Sequence, residues 1–302
     1  MNRWMKGIRA LFFDLDGCIY FGGKLADRAN DLMDLLRSLG YRIGFITNNS
    51  RENAAEIRDK LTQMGLRLED EMVFSATEAV AAFLKDAFGP VTVKAAGSAS
   101  LNEALADAGH HVLDWGGPDP AEIVVVGRDT EFDYRRLEQI VNEIVRGARV
   151  VSTNPDYSHP GEGGRLVPET GSLLAAVESI TGRAALCVGK PHAWLYELAM
   201  RHYGVTPAEC VMVGDNLATD IAGAQQAGMK TVWVRDAFLP QFEGYGGLAV
   251  VPTMTVSRLS ELYELLLRGS GGADDIGEDL RAAGEFRRPF GNRSACTANG
   301  EE

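Results

Sequence analysis

Apolar residues fall along this chain in two alternating rhythms. Ile8 to Phe13, Tyr41 to Ile46 and Met72 to Phe74 are short, nearly continuous apolar runs, the pattern of buried strands. Between them, Leu25 to Leu39 and Asn53 to Met64 carry apolar positions at helical spacing, and each stops at a glycine, Gly40 or Gly65, a natural C-cap. Ser75 can cap the Ala-rich helix that runs to Phe88. A β-α-β-α-β alternation predicts a parallel sheet with helices on both faces.

The alternation restarts after Gly89-Pro90, in sequence richer in Gly and Ala. Val91 to Lys94, Ile123 to Val126 and Ala148 to Ser152 read as strands; Ser98 to Ala108, Tyr134 to Arg146 and Ser172 to Thr181 read as helices. This is a self-contained α/β stretch. The first pattern then resumes: strand Leu186-Cys187-Val188, helix Ala193 to Tyr203, a capping box at Thr206-Pro207-Ala208-Glu209, strand Cys210 to Val213, helix Asp220 to Ala227, strand Thr231 to Val234 and helix Ser257 to Leu267. The expected architecture is therefore α/β, a Rossmann-like doubly wound parallel sheet with a second α/β domain inserted into it. Its parts are 1–88 (core, first part), 89–183 (insertion), 184–268 (core, second part) and 269–302, a Gly/Asp/Arg-rich tail without periodicity that reads as disordered.

Bulk properties narrow the function classes. A chain of 302 residues can bury two real cores, and its formal net charge of −12 argues against a nucleic-acid-binding face. Cys18, Cys187, Cys210 and Cys296 show no CxxC spacing, which argues against a zinc site or disulfide framework. Met1 to Lys6 lacks a signal-peptide core, and no apolar run reaches the length of a membrane span. A reduced, soluble, cytoplasmic protein is expected.

Polar residues cluster just past four of the strands: Asp14-Leu15-Asp16-Gly17, Thr47-Asn48-Asn49, Gly189-Lys190-Pro191 and Gly214-Asp215 to Thr219-Asp220. In an open parallel sheet, ligands bind outside the carboxyl ends of the strands. Asp14 and Asp16 are two apart and can share a face. Close carboxylates repel unless a cation sits between them or one takes a proton, although Asp-Gly is also a common turn pair. Thr47 and the amides of Asn48 and Asn49 can hold phosphate oxygens or simply cap a helix. Lys190 can neutralise a carboxylate and an incoming phosphate, or be a surface lysine. Asp215 and Asp220 are hard oxygen donors suited to Mg2+, though Thr219-Asp220 is also a good helix start.

In this order the motifs resemble those of the haloacid dehalogenase-like (HAD) hydrolases, and the resemblance covers everything before the tail. Asp14-Leu15-Asp16-Gly17-Cys18-Ile19-Tyr20, Thr47-Asn48-Asn49-Ser50, Asn154-Pro155-Asp156, Gly189-Lys190-Pro191 and Gly214-Asp215 with Thr219-Asp220-Ile221 are similar to the NagD-like, p-nitrophenylphosphatase-like branch, which includes phosphoglycolate and pyridoxal phosphatases. That branch carries a large α/β cap between its second and third motifs, where the insertion falls, and its members often dimerise through the cap.

The resemblance implies an Mg2+-dependent phosphatase acting on a small phosphorylated metabolite, with neither nucleic acid nor membrane as partner. Asp14 would be the nucleophile and Asp16 the general acid–base. Mg2+ would be held by Asp14, the main-chain carbonyl of Asp16, and Asp215. Thr47 and Lys190 would hold the phosphoryl group with Asn48 and Asn49 beside it, and Asp220 would orient Lys190 or a metal-bound water. His159, in a loop similar to that of pyridoxal phosphatases, would contact the leaving group or be a turn histidine. Asp16 favours phosphatase over dehalogenase or ion-pump chemistry; a catalytically silent phosphate sensor on the same fold is the alternative. Glu169-Thr170-Gly171 departs from the Gly-Ala-Gly or Gly-Thr-Gly of the branch and puts a carboxylate where none is expected, and Cys18 next to the site is expected to pack.

Overall fold

A computed structural model describes residues 3–160, 165–235 and 250–270 of the chain. The chain starts with β1 (Ala10–Phe13), buried at every position, and a tight hairpin of β2 (Tyr20–Phe21) and β3 (Lys24–Leu25). Next come α1 (Ala29–Ser38), β4 (Arg42–Thr47), α2 (Ala54–Gln63), β5 (Met72–Ser75) and α3 (Ala76–Phe88). The hairpin takes up Leu25, so the first helix starts later than its apolar spacing suggests, behind Arg28 in a left-handed conformation at φ 63°. Asn53 and Glu56 form a full capping box on α2, the kind of cap that stabilises a helix by about 1 kcal/mol.

The inserted stretch forms β6 (Thr92–Ala96), α4 (Ala99–Asp107), β7 (His111–Val112), β8 (Ile123–Val126), α5 (Tyr134–Val145) and β9 (Arg149–Ser152). A second hairpin follows, β10 (Ser158–Pro160) with β11 (Leu166–Pro168), then α6 (Thr170–Thr181) and β12 (Leu186–Cys187). The chain returns through α7 (Ala193–Tyr203), β13 (Cys210–Gly214), a π-type turn at Leu217–Ile221, α8 (Ala222–Gln226), β14 (Lys230–Val234), β15 (Met254–Val256) and α9 (Leu259–Ser270). The tail expected to be disordered, from 271 onward, lies outside the described residues.

Six parallel strands make the first sheet in the order β15-β14-β13-β1-β4-β5, and five parallel strands make the second, β12-β9-β8-β6-β7. Alternate residues of β1 face opposite sides, as a strand requires. Leu11 and Phe13 pack with Leu32 and Leu36 of α1 and Leu262 and Leu266 of α9; Ala10 and Phe12 pack with Val80 and Leu84 of α3 and Leu195 and Ala199 of α7. The second cluster runs on into Val93, Ile123 and Val151 of the second sheet, so the two sheets share apolar packing through α3 and α4. The far face of the second sheet is closed by Ile140 and Ile144 of α5 and Leu174 and Val177 of α6.

One strand differs from expectation. Leu186 and Cys187 pair with Val151 and Ser152, so β12 completes the second sheet rather than the first. Gly189 and Lys190 follow it after Val188, and the chain passes into α7 of the first unit. The strand order of the first sheet reverses at β1, which has β13 on one side and β4 on the other; that reversal opens a crevice at the strands' carboxyl ends.

Candidate active site

Asp14 continues the β1 ladder by donating its N–H to the Val213 carbonyl at 2.9 Å, which sets its carboxylate at the crevice. The chain then turns sharply at Gly17, φ +86°, where a Cβ would stand 2.5 Å from Asp215 Oδ2; only glycine lets the two segments approach this closely. The turn returns as the first hairpin and brings Tyr20 back over Asp16, whose Oδ2 accepts the phenolic hydroxyl at 3.0 Å. The two aspartates therefore part company: Asp14 faces the crevice floor and Asp16 faces Tyr20.

Lys190 is buried (2% exposed) with all three ammonium protons engaged. Its Nζ donates to Asp14 Oδ1 at 2.5 Å, Asp220 Oδ1 at 2.6 Å and the Ile46 carbonyl at 3.0 Å. Asp220 Oδ2 accepts from the Asn216 N–H at 3.1 Å, while Trp233 Nε1 donates to the Asp215 carbonyl at 2.8 Å. The carboxylates of Asp14, Asp215 and Asp220 lie within 4.8 Å of one another. Burial pushes Asp14 up to about 7 against the pull of Lys190, with Asp220 adding to the rise. Burial, then Asp14 and Asp220, hold Asp215 well above the usual carboxylate range. For Lys190 burial acts downward, but Asp14 and Asp220 outweigh it and keep the ammonium charged.

Three carboxylates share one lysine, so the cluster is short of positive charge. Hard oxygens at this spacing fit a divalent cation. The carboxylate of Asp16 is not in this group, while that of Asp220 is; the expected set of Asp14, Asp16 and Asp215 reached Asp16 only through its main-chain carbonyl. Burial also raises Asp16, and the Tyr20 hydrogen bond opposes the rise.

The second motif also organises the chain around it. Thr47, buried at the end of β4, accepts the Asn49 N–H on Oγ1 at 3.1 Å. Asn49 folds its own loop: its Oδ1 accepts from the N–H groups of Arg51 and Glu52, both at 2.9 Å, and its Nδ2 donates to Glu52 at 2.7 Å. The Asn48 side chain is held by Asp156 and by both main-chain polar groups of Lys190. The Asn49 carboxamide is thus committed to its own loop, as short polar side chains beside a chain reversal often are, whereas that of Asn48 reaches across to the third motif and the inserted unit.

His159 sits on β10, where its Nδ1 lies 2.8 Å from Glu169 Oε1; Arg128 Nη1 reaches the same oxygen at 3.1 Å. Glu169 precedes α6 without capping it, because its carboxylate turns to these two side chains. The carboxylate that breaks the expected Gly-x-Gly thus finds two partners. Burial raises Glu169 and lowers His159, and Arg128 pulls Glu169 down and His159 further down. Gly171 is required, since a Cβ there would strike the carbonyl oxygen of Pro155 and stand 2.8 Å from that of Asp156. The core and the inserted unit meet here: Ser50 Oγ accepts from the Arg128 N–H at 3.2 Å and lies 3.3 Å from Thr170 Oγ1. Arg128 carries no sequence signal as a contact of the site; Tyr20 and Asp156 stand in quoted motifs, Asp14 to Tyr20 and Asn154 to Asp156, that assign them no role.

A doubly wound core with an inserted α/β unit and a lysine–carboxylate cluster at its switch point defines a hydrolase of the haloacid dehalogenase-like class. The chain belongs to that family, whose haloacid dehalogenase-like hydrolase model matches residues 8–228. It is 34% identical over 230 residues to the 5'-nucleotidase YutF of Bacillus subtilis, covering 76% of this chain and 88% of the relative. It is 31% identical over 257 residues to an acid sugar phosphatase of Staphylococcus aureus, covering 85% of this chain and 97% of that one. Among solved structures it is similar to a 4-nitrophenylphosphatase from Thermotoga maritima, with a TM-score of 0.77, 27% identity and coverage of 87% and 99% of the two chains. A p-nitrophenyl phosphatase from Archaeoglobus fulgidus gives a TM-score of 0.76 at 27% identity, covering 85% and 99%. These neighbours are NagD-like folds.

Proposed function

We propose that this phosphoric monoester hydrolase is an Mg2+-dependent phosphatase of small phosphorylated metabolites that works through an aspartyl-phosphate on Asp14. The contact between Asp14 and Lys190 carries the reading: an ammonium 2.5 Å from the buried carboxylate opposes the rise that burial imposes and favours the charged form a nucleophile needs. Mg2+ would be held by Asp14 and Asp215, with the Asp16 carbonyl as a further donor, and would offset the negative charge of the phosphoryl oxygens. Asp220 is better used in fixing Lys190.

In the first half-reaction an Asp14 oxygen bonds to phosphorus as the bond to the leaving oxygen breaks, and Asp16 gives that oxygen its proton. In the second, Asp16 takes a proton from water, the water oxygen bonds to phosphorus, and the acyl-phosphate bond to Asp14 breaks to release phosphate. Burial suits Asp16 to the first task, because it raises the carboxyl's hold on a proton above that of an exposed aspartate. Lys190 and the Thr47–Asn49 turn flank the phosphoryl group, where electrostatic stabilisation supplies most of the rate. His159, whose Nδ1 lies 2.8 Å from Glu169 Oε1, would contact the leaving group. The free thiols Cys18, Cys187 and Cys210 suit a reducing cytoplasm.

The test is a panel of p-nitrophenyl phosphate, sugar phosphates, nucleoside monophosphates, phosphoglycolate, glycerol phosphate and pyridoxal phosphate, ranked by kcat/KM with and without Mg2+. Metal-dependent release of phosphate that is lost in Asp14→Asn is expected. Turnover that survives that substitution would end the aspartyl-phosphate reading, and a changed ranking in His159→Ala would place that ring against the leaving group.

A further inference from the structure

Asn48 is strung between two units of the fold. Its Nδ2 donates both protons, one to Asp156 Oδ2 at 2.9 Å and one to the Lys190 carbonyl at 2.9 Å, while its Oδ1 accepts the Lys190 N–H at 2.8 Å. The amide has one workable orientation: reversed, its oxygen would face a carboxylate and a carbonyl. Asp156 comes from the inserted unit, between β9 and β10. Its own N–H donates to Asn154 Oδ1 at 3.1 Å, and Asn154 Nδ2 donates to the Asn48 carbonyl at 2.7 Å. The 154–156 loop thus grips residue 48 by main chain and side chain together.

Room for this arrangement is built into the third motif. A Cβ on Gly189 would stand 2.7 Å from Asn48 Oδ1 and 2.5 Å from the Thr153 carbonyl, so the glycine exists for the close approach of these two segments. Beyond it, the Lys190 peptide is held on both its polar groups by one carboxamide, and the Lys190 side chain ends 2.5 Å from Asp14. A neutral partner would satisfy the Asn48 amide; a carboxylate makes that bond charge-assisted and about twice as strong.

We infer that Asp156 is a positioning residue for phosphoryl transfer: reaching from the inserted unit, it orients the Asn48 carboxamide, which fixes the Lys190 peptide and so the ammonium against Asp14. The inference rests on the phosphatase reading for its kinetic consequence, and on hydrogen bonds alone for its structural one. It gives the inserted unit a part in the chemistry distinct from any contact with the leaving group.

A double-mutant cycle tests it, with Asp156→Ala, Asn48→Ala and the pair, and Asp156→Asn as the conservative variant. Asp156→Ala should lower kcat on p-nitrophenyl phosphate about 10-fold or more with KM within about 2-fold, the loss of one hydrogen bond to a charged group. Asp156→Asn, which keeps an acceptor, should stay within about 3-fold of the parent, and the double variant should be no slower than Asn48→Ala alone. Lys190 labelling by an amine reagent, read by mass spectrometry, should rise in Asp156→Ala to the level of Asn48→Ala. Asp156→Ser repeats both measurements should the alanine variant not fold. An unchanged kcat, losses that add in the double variant, or unchanged Lys190 labelling would each overturn the inference. Absence of turnover in the parent enzyme would instead remove the phosphatase reading, and the labelling would still decide the coupling.

Discussion

Tyr20 donates its hydroxyl to Asp16 Oδ2 at 3.0 Å across the first hairpin. The hairpin exists to bring a residue four positions downstream back over the strand end, and this bond keeps the Asp16 carboxyl turned away from the carboxylate cluster. Removing it in Tyr20→Phe should lower kcat up to about 10-fold, the effect of one hydrogen bond to the carboxyl. Binding of Mg2+, read by thermal shift, should be unchanged. Parent-like kcat would show that Asp16 is aimed by other means.

Three clustered carboxylates repel in the absence of a cation, so metal should stabilise the fold. At Mg2+ about 100-fold above its dissociation constant the gain is about 2.7 kcal/mol, enough to raise Tm by about 5 °C. Asp215→Asn should abolish the shift without unfolding the chain. A shift retained in that variant would move the metal away from Asp215.

Asp156 provides a pH signature of stability. Burial pushes its carboxyl up to about 6 from the ordinary 3.8, opposed by Asn48 and Lys190. The folded chain therefore holds this proton more tightly than the unfolded chain does. The resulting stabilisation is complete below about pH 4 and is lost as pH rises through about 6. Asp156→Asn lacks this loss, so its Tm should gain on the parent across that window and run parallel above it. Melting curves of the two proteins at matched pH decide; a constant difference would show an unshifted carboxyl.

Gly171→Ala should be among the more damaging single-methyl additions. Its Cβ would press on the main-chain carbonyls of Pro155 and Asp156, which cannot rotate away as a side chain could. Overpacking of this kind costs about 1–3 kcal/mol, measurable by urea unfolding. A neutral result would mean that the 155–157 loop shifts freely, and kcat would then report whether Asp156 moves with it.

Much of the fold was legible because local signals agreed. Continuous apolar runs such as Leu11 to Phe13 and helices halted at Gly40 and Gly65 need no tertiary knowledge. Two-residue strands escape such reading: Tyr20–Phe21 and Lys24–Leu25 are defined by their pairing and carry no periodicity. The strand before Lys190 is as apolar as a core strand, and only its partner, β9, shows which sheet it joins. The residue types at the site were legible from their order along the chain. Their division of labour was not, because Asn48 meets a partner 108 residues away and Glu169 meets Arg128 and His159 across the inserted unit.

The pairing of β12 with β9 changes what counts as a transferable module. Anyone exchanging the inserted unit between relatives by cutting at residue 183 would leave Leu186 and Cys187 behind, an orphaned edge strand paired to a foreign sheet. Register at that edge sets where Gly189 and Lys190 begin, so a graft that folds well could still deliver the lysine out of reach of Asp14. A chimera that carries residues 90–188 as one block keeps the strand, its partner and the lysine's starting point from the same parent.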